Sequence, residues 1–479
     1  LQKSQHILKK LLNETIIYGM GAILPRIILV VLNPLYIKFI ENEEFAKFGN
    51  LYALISFVNI FLSFGFETSY FRFSAEKDRE PKTFNTAFWF LFALSTVFLL
   101  SCIVFNRPIA EYFGYAENPE YILWFALIAF FDNLCVIPFA WLRFHNKPIK
   151  YSAIRIVATI LQTIFVFGLF LFIPHSVSEK MGLSTKVSYP FFANLFASIV
   201  TFILLIPVIL KVRASMDKTL LIQMFKYSWP VMIAGFAFMV NENFDKYIQY
   251  YKIDKADAGS YAGCYKIAVL MTLFVTAYRM GIEPYFFKEM NNKNAKNTYA
   301  KVTEYFAFFA SAVAMGIIAN ISWIMKILVP NHTYWNAIDI VPIIVIANLC
   351  FGIYYNFSTW YKVTDRTFVG TIISWLGALI TISLNLWLLG KYGFMISAWV
   401  TLLAYLVMMV VSYLLGQKYY PIPYRVGKML FFLILLSIFS YIAVKIFDYN
   451  FWMGNILFVI YTGILLFSEK DFILSKVRK

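Results

Sequence analysis

The chain of 479 residues is 61% hydrophobic and only 14% charged. A soluble domain would carry about a quarter charged residues, so a water-soluble globular protein is excluded. The net charge of +16 sits in short Lys and Arg clusters between apolar runs. With no basic arm and no aromatic RNA-binding motif, that charge reads as membrane topology with added attraction to anionic lipid, and nucleic acid is not an expected partner.

Apolar runs of about 18 or more residues recur from end to end, each long enough to cross a bilayer. Their side chains do not alternate in polarity, which argues against a transmembrane barrel. The expected fold is an all-α integral membrane protein with about 14 transmembrane helices. Residues 1–12, LQKSQHILKKLL, read as a short amphipathic helix at the membrane surface. Spans are predicted at 14–38, 48–71, 84–105, 121–142, 151–173, 189–210, 227–250, 259–286, 303–328, 339–361, 368–390, 394–415, 427–446 and 450–468. The first run lacks an A-x-A-like exit and reads as a span, not as a cleavable signal.

Charge tests this arrangement. With the N-terminus in the cytoplasm, about 27 of the 42 Lys and Arg fall at the termini and even-numbered turns. A missed or invented span would invert the bias downstream, so both termini are expected to be cytoplasmic. The turns are short, the longest outer one being 174–188, and leave no room for a soluble domain. No GxxxxGK[ST] motif is present, so ATP hydrolysis is not expected. Cys102, Cys135, Cys264 and Cys350 lie in apolar runs without a CxxC pair, and the four histidines do not cluster. Neither a disulfide, a metal site nor a bound cofactor is expected.

A weak internal repeat links the second and eighth spans. One runs from Phe48-Gly49-Asn50-Leu51-Tyr52 to Gly65-Phe66-Glu67, ending at Arg72. The other runs from Gly259-Ser260-Tyr261 to Gly281-Ile282-Glu283, ending at Lys288. Two related six-helix lobes around a central cavity follow, at residues 1–213 and 214–416, with two additional C-terminal helices and a cytoplasmic tail at 417–479. Six spans per lobe is an even number, so the lobes would relate by an axis along the membrane normal.

A charge near the bilayer centre costs at least ~2.5 kcal/mol, and those that persist face a cavity or a partner. Arg26, Arg155, Lys266 and Arg279 are the candidate cavity cations, suited to an anionic headgroup such as a diphosphate. Structural readings compete with this. Arg279 and Glu283 are four apart on one helical face, as are Glu242 and Lys246; Arg155 could snorkel to the interface; Asp132 could pair with Arg26. Asp132 and Glu67 are the leading candidates for coupling to a proton or sodium, with Glu242, Asp245 and Glu283 as further acids inside spans.

The stretch with Tyr18, Gly19, Gly21, Pro25-Arg26, Pro34, Phe48-Gly49, Gly65-x-Glu67 and Arg72-Phe73 resembles the opening of the bacterial polysaccharide-unit (O-antigen, Wzx-like) flippases. These belong to the multidrug/oligosaccharidyl-lipid/polysaccharide exporter superfamily. A second stretch is similar to the opening of that family's second lobe: Ser228-Trp229-Pro230, Asp245-Lys246, Gly259-x-Tyr261, Tyr265-Lys266-Ile267-Ala268 and Glu283-Pro284. The resemblance implies alternating access of two lobes that move an undecaprenyl-diphosphate-linked oligosaccharide across the inner membrane, with lipids and the polysaccharide polymerase machinery as partners. It implies that Arg26 and Arg279 are cavity cations. The competing readings are a lipid II flippase, a multidrug cation antiporter of the same superfamily, and a membrane-embedded polymerase or glycosyltransferase. The chain lacks the large outer loop or catalytic domain of the last class, so it is not expected to be an enzyme.

Overall fold

A computed structural model describes residues 2–76, 79–180, 182–211, 215–290 and 292–468, with the side chains of 2–19, 22, 175 and 284 excepted. The amphipathic face expected in residues 1–12 and the tail expected after Ser468 lie outside the described residues. In hydrocarbon every backbone N–H and C=O must be paired within the protein, and helices do this locally. No strand occurs among the described residues.

Among the described residues, fourteen long helices follow the predicted spans. They are α1 (Gln2–Phe39), α2 (Asn42–Ser63), α3 (Glu80–Val104), α4 (Glu120–Phe144), α5 (Pro148–Leu171), α6 (Ser188–Lys211) and α7 (Lys218–Lys252), then α8 (Lys255–Glu289), α9 (Ala295–Ala319), α10 (Ile340–Phe357), α11 (Thr367–Tyr392), α12 (Met395–Tyr419), α13 (Val426–Tyr441) and α14 (Phe451–Ser468). Among the described residues, twelve helices are long and apolar enough to span a membrane. The other two, α1 and α7, are the longest with α8, at 38 and 35 residues, and α7 is polar toward its end, with Glu242, Asp245 and Lys246. The surface helix expected before the first span is not separate: the backbone is one helix from Gln2 to Phe39. The second predicted span is broken after α2 at Gly65, whose φ of +70° is open to glycine without strain. A short helix, Phe66–Ser74, continues from there.

The chain packs as two compact units, Leu1–Ile40 with Lys47–Tyr247, and Glu41–Ala46 with Ile248–Lys479. This division falls inside α7 and differs from the lobe boundary predicted at 213. It also places the first turn of α2 in the second unit. There Asn42 Nδ2 donates to Ser260 Oγ at 3.3 Å. Gly259 permits that approach, since a Cβ there would lie 1.6 Å from the Asn42 carbonyl oxygen.

Packing within the first unit joins α3 to α4, α4 to α6 and α5 to α6. Packing within the second joins α9 to α10, α10 to α12 and α11 to α12, the same pairs six helices later. That repetition carries the internal relationship further than the short sequence match. α13 and α14 both pack on α9. The segment after α13 is tied down near the start of α10, where Lys445 Nζ donates to Asp339 at 2.6 Å and the Tyr449 hydroxyl also donates to Asp339. The two C-terminal helices are therefore part of the second unit.

Candidate functional site

The first unit encloses a cavity of about 680 Å³ among α1, α2, α4, α5, α6 and α7. Three sequence-predicted residues, Glu67, Asp132 and Arg155, line it. Around them stand neutral polar groups from five segments, including Asn59, Gln162, Asn194 and Ser198. A polar cavity between apolar helices shelters groups that hydrocarbon would reject.

Each wall has a local reason for its position. Asn133, next to Asp132, donates to Ser95 Oγ at 2.6 Å and to the Leu62 carbonyl at 3.2 Å, which pins α4 to α3 and α2. Asp132 Oδ1 accepts from Ser198 Oγ of α6 at 2.7 Å. The pairing of Asp132 with Arg26 weighed from sequence is therefore replaced by a neutral hydroxyl partner and a different cation, Arg155, in the same cavity. Asn194 donates to the Tyr52 hydroxyl at 3.1 Å. The Oδ1 of Asn59 is buried with no hydrogen-bond partner. It is an acceptor, like the Asp132 carboxylate, and the two line one space that can receive a cation or a donor. Arg155 stands with its guanidinium 4.9 Å from the Phe139 ring and 5.0 Å from the Tyr151 ring. Those rings orient the head, and Arg155 remains exposed, so the cavity is open there.

The other predicted residues lie elsewhere. Arg26 is exposed on α1, one residue after Pro25, which does line the cavity. Asp245 is buried, with its carboxylate 3.1 Å from Lys246 Nζ, and Lys246 also donates to the Glu242 main-chain carbonyl at 2.8 Å. Lys266 is half-buried in α8. In the second unit Glu283 receives Lys362 Nζ at 3.0 Å. Lys362, and not the Arg279 weighed from sequence as one alternative, is the close ion-pair partner of Glu283, while Arg279 lies over the Tyr355 ring at 4.5 Å, with Lys362 on the same ring at 3.8 Å.

The Glu67 and Glu283 pairs are counterparts. Arg143 at the end of α4 donates to Glu67 and lies 4.9 Å from the Phe71 ring. Lys362 follows the end of α10 and binds Glu283 and the Tyr355 ring. Their segments read Trp141-Leu142-Arg143-Phe144-His145-Asn146-Lys147 and Trp360-Tyr361-Lys362-Val363-Thr364-Asp365-Arg366. α4 and the short helix Thr359–Val363, which follows α10, end the same way. Asn146 and Asp365 take positive φ, 50° and 57°. The next N–H, of Lys147 or Arg366, donates back to the carbonyl of Leu142 or Tyr361 at 2.9 and 2.8 Å. Asn and Asp tolerate this left-handed conformation better than other side chains, and the bond satisfies a helix-end carbonyl. This Trp-x-cation-x-x-Asn/Asp-cation repeat was the sequence signal for Arg143 and Lys362. Reading only the carboxylate end missed it.

A charge swap tests the clasp in the first unit. Glu67→Arg places two cations together and is expected to lower the thermal unfolding midpoint by several degrees. Adding Arg143→Glu should recover at least half of that loss. An equal loss in the single and the swapped protein would mean that the pair contributes nothing beyond its separate side chains.

Residues 37–339 match the family described as polysaccharide biosynthesis protein. No curated protein sequence matches the chain. Among solved structures, the lipid II flippase MurJ in its inward closed conformation is similar with a TM-score of 0.76 and 17% identity, over 96% of this chain and 100% of that one. An inward-facing multidrug resistance MATE family transporter of the MOP superfamily is similar with a TM-score of 0.68 and 11% identity, over 87% of this chain and 98% of that one. The Vibrio cholerae MATE transporter VcmN in its bent form follows at 0.58 and 13%, over 87% and 98%. At these identities the likeness establishes a shared fold.

Proposed function

This chain belongs to the polysaccharide biosynthesis protein family, and on that premise we propose that it is a flippase. Its substrate is an oligosaccharide repeat unit on undecaprenyl diphosphate, moved from the cytoplasmic to the outer leaflet of a bacterial inner membrane. The observation that carries the reading is the polar cavity of about 680 Å³, with Arg155 held at its opening by two aromatic rings. A sugar headgroup cannot cross hydrocarbon unaided. A polar cavity shelters it, a guanidinium grips phosphate oxygens, and the lipid tail stays in the bilayer. The protein breaks no bond in this scheme; it alternates between conformations with different affinity for the same headgroup.

Asp132 is the coupling carboxylate in this reading. It shares the cavity with Arg155 and with the unpartnered carbonyl of Asn59, so proton or sodium binding there changes the charge next to the headgroup site. The test is transfer of labelled undecaprenyl-diphosphate oligosaccharide between leaflets of liposomes holding the purified protein, with lipid II as a comparison substrate. Wild-type protein is expected to move the oligosaccharide and to respond to a proton or sodium gradient. Asp132→Asn should lose the response to the gradient while keeping its unfolding midpoint. Gradient dependence that survives in this variant removes Asp132 from coupling. If the wild type moved an organic cation but no lipid-linked saccharide, the antiporter reading would replace the flippase.

A further inference from the structure

The paired turns that end in Lys147 and Arg366 treat their tryptophans differently. In the second unit the Trp360 indole N–H donates to the Ser412 carbonyl of α12 at 3.1 Å, and the Tyr419 ring at the end of α12 stacks on the indole at 5.9 Å. Gly416 permits this approach, since a Cβ there would lie 3.0 Å from Trp360 Nε1. In the first unit Trp141 is only 5% exposed, and its indole N–H has no hydrogen-bond partner. Three residues before its end at Lys211, α6 carries Val208, where α12 carries Gly416 three residues before Tyr419. The Trp141 ring is faced instead by Lys147 Nζ at 5.0 Å and Lys211 Nζ at 5.9 Å, with the His145 ring stacked on it at 4.0 Å. Among the described residues neither lysine has an ion pair or a hydrogen bond. Residues 212–214, which follow Lys211, contain no acid. Where the second unit supplies a carbonyl and a tyrosine, the first leaves a donor open and brings up two ammonium groups.

We infer that the ends of α4 and α6 bind, at Trp141, the phosphate of an anionic phospholipid from the cytoplasmic leaflet. A buried N–H without an acceptor costs free energy, and an anionic oxygen satisfies it best. A water molecule would serve the N–H but would leave the two ammonium groups without a counter-charge. His145, Lys147 and Lys211 are exposed, so the groups lying on the indole can move aside to admit a phosphate. The apolar part of the occupant is specified by α6. Pro207, Leu204 and Ile203 stand four, seven and eight residues before Lys211, which is the spacing of one helical face, and all three are exposed. A phosphate held by Lys211 therefore leaves its acyl chains along apolar surface that faces lipid, whereas a soluble phosphate would use the cations and waste that face. The charge bias of the turns puts the ends of α4 and α6 on the cytoplasmic side, where anionic lipid attracts basic clusters and basic sites between helices take phosphate headgroups.

The test uses the full chain, purified in detergent, with native mass spectrometry reading bound lipid. Phosphatidylglycerol is expected to be retained roughly tenfold more tightly than phosphatidylcholine of the same chains, the scale of one charged hydrogen bond. Lys147→Gln with Lys211→Gln, both on exposed side chains, should remove that preference without shifting the unfolding midpoint. Trp141→Phe keeps an aromatic ring beneath the lysines and removes the N–H, so it should weaken phosphatidylglycerol and leave phosphatidylcholine unchanged. Trp360→Phe, whose N–H is already engaged, should change neither. Equal retention of the two lipids, or an unchanged preference in the double lysine variant, overturns the site. The same weakening in Trp360→Phe as in Trp141→Phe overturns the placement at Trp141. Displacement of phosphatidylglycerol by an equal concentration of inorganic phosphate overturns the lipid assignment, since a soluble anion would then suffice.

Discussion

Arg155→Ala is expected to lower lipid-linked oligosaccharide transfer by roughly tenfold to a hundredfold, the range set by losing charged hydrogen bonds worth about 1.5–3 kcal/mol. The effect should appear in transport and not in folding. Arg155 is exposed, and the Phe139 and Tyr151 rings that flank it remain when it is removed. Arg155→Lys should restore only part of the loss, because an ammonium lacks both the planar fork that grips two phosphate oxygens and the flat face that stacks on a ring. Initial rates of transfer at fixed protein content check this. A full rate in Arg155→Ala would reduce the side chain to an interfacial anchor, and the cavity would then have to hold the headgroup through neutral groups alone.

Gly259→Val is expected to leave almost no folded protein. Its Cβ would lie 1.6 Å from the Asn42 carbonyl oxygen and 2.5 Å from the carbonyl carbon, both backbone atoms that cannot rotate away. α8 would have to retreat from the first turn of α2, breaking the bond from Asn42 to Ser260. Backbone shifts forced by overpacking cost about 1–3 kcal/mol or more, a large fraction of the stability of any one unit. The yield of monodisperse protein after detergent extraction measures it. Gly390→Ala is the control, because no atom lies within 4 Å of a Cβ there. Equal yields from both would show that α8 can shift freely at this crossing.

The helices were legible because hydrocarbon leaves the backbone no alternative. Every predicted span has its helix, and runs such as 189–210 and 394–415 needed nothing from the tertiary structure. The breaks were less legible. Gly65 sits inside an apolar stretch that reads as continuous, and only a positive φ shows that α2 stops there. Candidate residues could be picked for being charged inside a span, and three of them, Glu67, Asp132 and Arg155, line one cavity. Their partners could not be chosen the same way. Glu283 has Arg279 four residues away on its own helix, yet Lys362, 79 positions along the chain, is its ion pair. Asp132 meets Ser198, an uncharged residue that no charge count would select.

The sequence by itself determined that this is a multi-pass helical membrane protein, since composition and span length answer directly to the bilayer. It also held the two halves' relationship, in the Gly-x-Glu segments and the paired Trp-x-cation turns. Only the tertiary structure decided which charges share a cavity, which form clasps, and that α13 and α14 belong to the second unit. The reason is physical. Lipid acts on each helix separately through its own side chains, whereas an ion pair or a cavity depends on residues brought together by packing between helices far apart in the chain.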